Sequence, residues 1–225
     1  MSILSYLNDP KQLLIYIAIR LLVIFAILPI HEFAHAWAAY KMGDNTARNL
    51  GRLTLNPLAH LDIFGAIFLF AFGFGWAKPV PINPRNFKNY KKGTVLVSLA
   101  GPLSNIICAA IGVFVMKVLI YMPISIEAWM YISLAIDVFV TINISLAVFN
   151  LLPIPPLDGY NIFSSILPYK AVRFIAKNQQ IIYIVFMALL FTDVLSKPLS
   201  FLINLFYTSI YYLFFWVDIV AKLFM

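Results

Sequence analysis

Between Gln12 and Met42 the chain stays apolar for longer than a membrane is thick. At about 1.5 Å per residue, a helix over that stretch exceeds the roughly 30 Å hydrocarbon core of a bilayer. Long apolar runs recur at 94–121 and 128–152, and shorter ones at 180–195 and 199–221. Of the 225 residues, 63% are hydrophobic and 11% charged, against about 45–50% and about 25% in a soluble globular domain. A soluble core of this size could not keep so many apolar side chains from water, and intrinsic disorder requires low hydrophobicity. The single cysteine rules out a disulfide scaffold or a Cys-rich zinc module.

The expectation is an all-α polytopic membrane protein of roughly five to seven spans at about 20 residues each, folded as a single integral membrane domain over 1–225. Its parts would be a helix at 11–42, a loop, re-entrant and strand-like region at 43–93, helices at 94–121 and 128–152, and two accessory helices within 170–225. The run 61–76 contains Gly65, Gly73 and Gly75 and would reach only about 24 Å as a helix, so it is expected to dip into the membrane and return. Residues 44–60 alternate apolar and polar side chains around Gly51 and Asn56-Pro57, which is strand or loop chemistry.

A net charge of +7 does not point to nucleic acid. The basic residues occupy short gaps between apolar runs, as cytoplasmic loops of membrane proteins do. Lys78, Arg85, Lys88, Lys91 and Lys92 fall in one such gap, and Lys170, Arg173 and Lys177 in another. Both gaps are assigned to the cytoplasmic side, with the N-terminus outside and a bacterial plasma membrane as the setting.

Within the first apolar run lies His31-Glu32-Phe33-Ala34-His35. Histidines four apart on a helix share a face, close enough for two imidazole nitrogens to reach one zinc ion, while the intervening Glu can approach a water without being a ligand. Each ionised side chain at mid-bilayer costs about 2.5–3.5 kcal/mol or more, so three together ask for a purpose. The competing reading is a pair of neutral core histidines beside a protonated Glu32. A catalytic zinc needs a third protein ligand. Asp158, on the proline-broken loop that follows the 128–152 run, is the better candidate, with Gly159 allowing an unusual backbone angle. Asp137 is expected near the opposite surface.

These residues resemble the site-2 protease family of intramembrane zinc metalloproteases. Three elements carry the resemblance: the His31–His35 segment; Asn150-Leu-Leu-Pro153-Ile-Pro155-Pro156-Leu-Asp158-Gly159, which fits N-x-x-P-x-P-x-x-D-G; and Gly101-Pro102-Leu103-Ser104-Asn105, which fits G-x-x-x-N. They cover about residues 15–165, in the compact form without PDZ or nucleotide-sensing domains. The resemblance implies one Zn2+ per chain held by His31, His35 and Asp158. Glu32 would be the general base and proton shuttle, Asn150 would hold the scissile carbonyl or its oxyanion, and Asn105 with Gly101 would position the substrate strand. The implied reaction is hydrolysis of peptide bonds within or near the transmembrane segment of a single-span protein, in regulated intramembrane proteolysis.

A substrate helix must be unwound before its carbonyls can be attacked, and an extended segment of enzyme could receive it by strand addition. Arg52–Leu55 and Lys78–Ile82 are the candidates, with ordinary loops as the even alternative. His60 is expected in interfacial hydrogen bonding. Other functional classes are a metal-dependent transporter, which would favour several polar groups along a path and often a pseudo-repeat, and a catalytically inactive client-binding protein, which the intact Glu32 and ligand set speak against.

Overall fold

Helix boundaries fall where capping chemistry directs them in the computed structural model, which describes residues 10–65, 67, 78–190 and 192–224. The first helix, α1 (Pro10–Met42), carries Pro29 inside it. It ends at Gly43, whose φ of 111° lets the N–H groups of Gly43 and Asp44 turn back to the carbonyls of Tyr40 and Ala39. Only glycine takes that conformation without strain. Two single turns follow, α2 (Thr46–Asn49) and α3 (Pro57–His60), the latter with Asn56 as cap and Pro57 in its first position. Helix α4 (Tyr90–Leu119) is capped by Asn89, and α5 (Ile126–Asn150) by Ser125 with Glu127 in the first turn, where an acid complements the helix dipole. Beyond lie α6 (Asp158–Ser164), α7 (Tyr169–Lys177), α8 (Gln179–Leu190), α9 (Asp193–Leu213) and α10 (Phe215–Phe224).

Four described stretches are long and apolar enough to cross a membrane: Lys11–Met42, Tyr90–Leu119, Ile126–Asn150, and Val194–Leu223, which joins α9 to α10. The chain is an integral, all-α membrane protein. Within the apolar run at 180–195 the described helix, α8, has 12 residues and reaches only about 18 Å, short of a span. The strand-like reading of 44–60 is also corrected. Among the described residues there is no strand for that segment to pair with, and its apolar side chains pack locally, Ala47 and Leu53 against Ala36 and Val80. The re-entrant reading falls on 61–76, of which 66 and 68–76 lie outside the described residues. On either side of that stretch, the Lys78 N–H donates to the His60 carbonyl at 2.9 Å, so the chain comes back to the level at which it left.

Helices α1, α4 and α5 form the centre. Ile24, Ile27 and Leu28 of α1 pack on Leu146 of α5, and Ala109 and Val113 of α4 pack on Val140, Ile144 and Val148 of α5 and Ile210 of α9. Small residues set the approach, since lipid offers no hydrophobic drive to bring helices together and close packing must do it. At the C-terminal end of α1, Asp44 is fully buried and gathers the Thr46 N–H and hydroxyl, the Asn83 N–H at 2.7 Å and the Asn86 amide at 2.8 Å. Together with Phe87 packed on Ala39 and Val97, this fastens the 78–88 segment beneath α1.

One acid sits where the sequence reading misplaces it. Asp137 is half-buried midway along α5 and accepts from the Tyr207 hydroxyl of α9 at 3.3 Å, so it bridges two helices instead of facing water. Asp218 of α10 pairs with the buried Lys117 at the end of α4, with the Tyr121 hydroxyl at 3.0 Å and the Tyr211 ring 4.0 Å from the ammonium.

Candidate metal centre

The hydrogen-bond accounting around the two histidines fixes which nitrogen each presents. A backbone carbonyl can only accept, so His35 Nδ1, 2.7 Å from the Val97 carbonyl of α4, carries the proton. His31 Nδ1 lies 2.5 Å from Asn105 Oδ1, also an acceptor. Both rings therefore turn an Nε2 lone pair inward. His31, Glu32 and His35 are all buried, and they sit 7 to 11 residues before the end of α1, about 10 to 16 Å along the helix axis.

Asp158 reaches the same point from α6. Its Oδ2 is 3.5 Å from His31 Nε2 and 3.1 Å from His35 Nε2, and the two nitrogens are 3.1 Å apart. Burial disfavours its charge, yet the bonds to His31 and His35 outweigh that and hold the carboxyl at about 2, so the carboxylate is ionised at neutral pH. Three electron-rich atoms at such separations need positive charge between them, a proton in the bare chain or a cation. Ligands about 2.0–2.1 Å from a tetrahedral zinc are themselves about 3.3 Å apart, and the observed triangle has those dimensions. The donor set fits the metal.

Two glycines make room for it. A Cβ on Gly101 would collide with Nε2 of His35 and Cε1 of His31, so α4 passes against the imidazoles with no side chain between. Gly159 is not in the left-handed region. It is helical, and the space a Cβ would take is filled by the Leu151 and Leu152 carbonyls, which draws the first turn of α6 against the end of α5.

Glu32 stands beside the triangle without belonging to it. Its Oε2 accepts the Val80 N–H at 2.9 Å. A cleft of about 800 Å³ opens from Glu32 and the three donors, with Pro79, Val80, Asn150 and Phe186 on its walls. Asn150 donates one amide hydrogen to the Leu146 carbonyl at 3.0 Å, which leaves the other for the cleft. Of the two candidate substrate-binding strands, Lys78–Ile82 borders the cleft and Arg52–Leu55 does not. Because Pro79 and Pro81 have no N–H, and Val80 gives its own to Glu32, that edge offers mainly carbonyls.

Asn105 and Gly101, expected to position the substrate strand, are not among the residues that line the cleft. Asn105 is fully buried, its oxygen taken by His31 and its amide nitrogen by Asn143 Oδ1 at 2.9 Å. Gly101 underlies the histidines. His60 is likewise fully buried, with Nε2 2.8 Å from the Thr54 carbonyl, and stands outside the metal-ligating group. Sequence reasoning missed Asn143 and Val80. An Asn in the interior of the apolar α5 run was a readable signal, since a polar group there needs a partner; a backbone donor such as that of Val80 has none.

Residues 118–192 match the model of Peptidase family M50. The chain is 43% identical over 203 residues to YwhC of Bacillus subtilis, covering 88% of this chain and 90% of that protein. It is 28% identical over 197 residues to Rip2 of Mycolicibacterium smegmatis, with 84% and 74% covered, and 34% identical over 160 residues to MJ0611 of Methanocaldococcus jannaschii, with 70% and 73% covered. All three are by name zinc metalloproteases. No solved structure matches the chain.

Proposed function

Because the chain belongs to peptidase family M50 and is a zinc metalloprotease built into a membrane, we propose that it cuts single-span membrane proteins within or near their transmembrane segment, as a step in regulated proteolysis. The observation that carries this reading is the convergence of His31 Nε2, His35 Nε2 and Asp158 Oδ2 beside Glu32. Two of them lie within a spanning helix, and all three line a cleft large enough for a peptide.

In this reading His31, His35 and Asp158 hold the zinc. Bound zinc supplies Lewis acidity, which brings the pKa of water near 7 and polarises a carbonyl. Glu32 receives the proton and returns it to the leaving amine, acting as base and then acid. With Oε2 fixed by the Val80 N–H, the carboxylate plane is set and the other oxygen is left for the proton. Asn150 turns its free amide hydrogen to the developing oxyanion, a donor that needs no reorganisation at the moment of reaction. The buried depth of the site keeps bulk water from competing and fits a scissile bond below the membrane surface.

The basic residues Lys78, Arg85, Lys88, Lys91 and Lys92 flank this end of the bundle, which supports placing the site toward the cytoplasmic face of a bacterial plasma membrane. The test is to purify the protein in detergent, measure its zinc, and follow cleavage of a model single-span substrate. Glu32→Gln should retain metal and lose hydrolysis, whereas His31→Ala and His35→Ala should lose both. Wild-type turnover by Glu32→Gln would overturn the mechanism, and undiminished zinc in the double histidine variant would overturn the ligand assignment.

A further inference from the structure

Behind His31 runs a chain of amides that the proteolytic mechanism does not use. His31 Nδ1 gives its hydrogen to Asn105 Oδ1 at 2.5 Å, Asn105 Nδ2 donates to Asn143 Oδ1 at 2.9 Å, and Asn143 Nδ2 donates to the Phe139 carbonyl at 2.9 Å. The last acceptor is a backbone carbonyl, which can neither donate nor turn. Its direction fixes the Asn143 amide, Asn143 fixes that of Asn105, and Asn105 fixes the tautomer of His31. Neither amide side chain has any exposure, so no water can take over a broken link. His35 needs no such relay, because its Nδ1 meets a backbone carbonyl directly.

We propose that Asn143 is a positioning residue for the metal centre: acting through Asn105, it dictates that His31 presents Nε2, with its lone pair, toward the metal. The physical reason lies in the symmetry of a carboxamide. Asn105 alone could rotate its side chain by half a turn and present a donor to His31, which would reverse the imidazole tautomer and aim an N–H at the ion. Asn143 removes that choice, since its Nδ2 donates to the Phe139 carbonyl and so leaves its oxygen, which can only accept, facing the Asn105 nitrogen. Residues that orient a metal ligand in this manner typically contribute 10–100-fold in metal affinity or activity when lost. The inference rests on zinc being held by His31, His35 and Asp158.

The experiment measures zinc transfer from the purified full chain to a chromophoric chelator, and records the visible spectrum of the Co2+-loaded protein. The proteins are wild type, Asn143→Leu, Asn105→Ala, the Asn105→Ala/Asn143→Leu pair, and His31→Ala as reference. Asn143→Leu should hold zinc about 10–100-fold more weakly and show an altered Co2+ spectrum, while adding it to Asn105→Ala should change nothing further. Where Asn143→Leu does not fold, Asn143→Ser takes its place. Wild-type zinc retention in a folded Asn143 variant, or additive losses in the pair, would overturn the relay. If wild type binds no zinc, or His31→Ala retains it, the ligand assignment fails. If His31→Ala loses zinc and the Asn143 variants do not, the relay alone fails.

Discussion

Val80 gives its backbone N–H to Oε2 of Glu32 across 2.9 Å, although the two are 48 residues apart in the chain. The bond is a direct link between the 78–88 segment and the carboxylate that stands beside the three metal-binding candidates. Val80→Pro removes the donor in a segment already shaped by Pro79 and Pro81. A hydrogen bond to a charged group contributes about 1.5–3 kcal/mol, so kcat should fall by roughly 10–100-fold. Zinc content, measured on the same preparation, should stay at one per chain. A parallel loss of zinc would show that Val80 supports the metal site and not the base.

Gly101→Ala places a methyl group where the imidazoles of His31 and His35 lie. Both histidines are held from behind by Asn105 and Val97, so the rings have nowhere to go. Overpacking of this kind costs about 1–3 kcal/mol, expected here as zinc affinity weakened by roughly 5–150-fold in chelator competition. An unchanged zinc affinity would mean that α4 shifts away from α1 at little cost.

Asp44 confers a pH dependence on the loop beneath α1. Burial works against its charge, but the Thr46 hydroxyl, the Asn83 N–H, the Asn86 amide and the Thr46 N–H together hold its carboxyl below the usual carboxylate range. A group whose pKa is lowered by folding stabilises the fold above its unfolded value of about 3.9 and loses that contribution as pH falls through the folded value. Asp44→Asn should therefore lower the unfolding temperature in detergent at pH 7, and the gap to wild type should narrow as pH drops below about 4. A gap that is constant from pH 7 to pH 3 would exclude the ionised carboxylate as its source.

Lys117 and Asp218 fasten α10 to the end of α4 that lies far from the metal centre. Lys117 is 1% exposed and Asp218 36%, so removing Asp218 leaves a buried ammonium without its compensating charge. Asp218→Asn should be the more damaging single change, and Lys117→Met combined with Asp218→Leu should recover most of the lost thermal stability. Cleavage of a model substrate by the double variant should stay near wild type, which separates this clamp from the catalytic end.

The spans and the grouping of His31, His35 and Asp158 were legible in the sequence because both depend on strong local patterns. Apolar runs of membrane length have few alternatives, and the spacing of His31 and His35 on one helical turn brings them together wherever the helix sits. Asp158 could be picked out because acids are scarce in these runs. What was not legible depended on tertiary contact. Asn105 carried a motif but no sign of whether it turned to the cleft or to His31, and only the packing of α4 on α1 decides that. Asp137 read as a surface acid until Tyr207, 70 residues later, met it inside the bundle. Residues 44–60 alternated like a strand, but alternation alone makes no strand without a neighbouring edge to pair with.

The bare backbone of Gly101 against two imidazoles has a mechanical consequence. Helices α1 and α4 interlock at the centre of the molecule, and they cannot separate without pulling His35 from Val97 and His31 from Asn105. That seam cannot serve as a gate. On the other wall of the cleft the twelve-residue α8 packs on the bundle through Phe186 against Phe149, ring centres 5.6 Å apart.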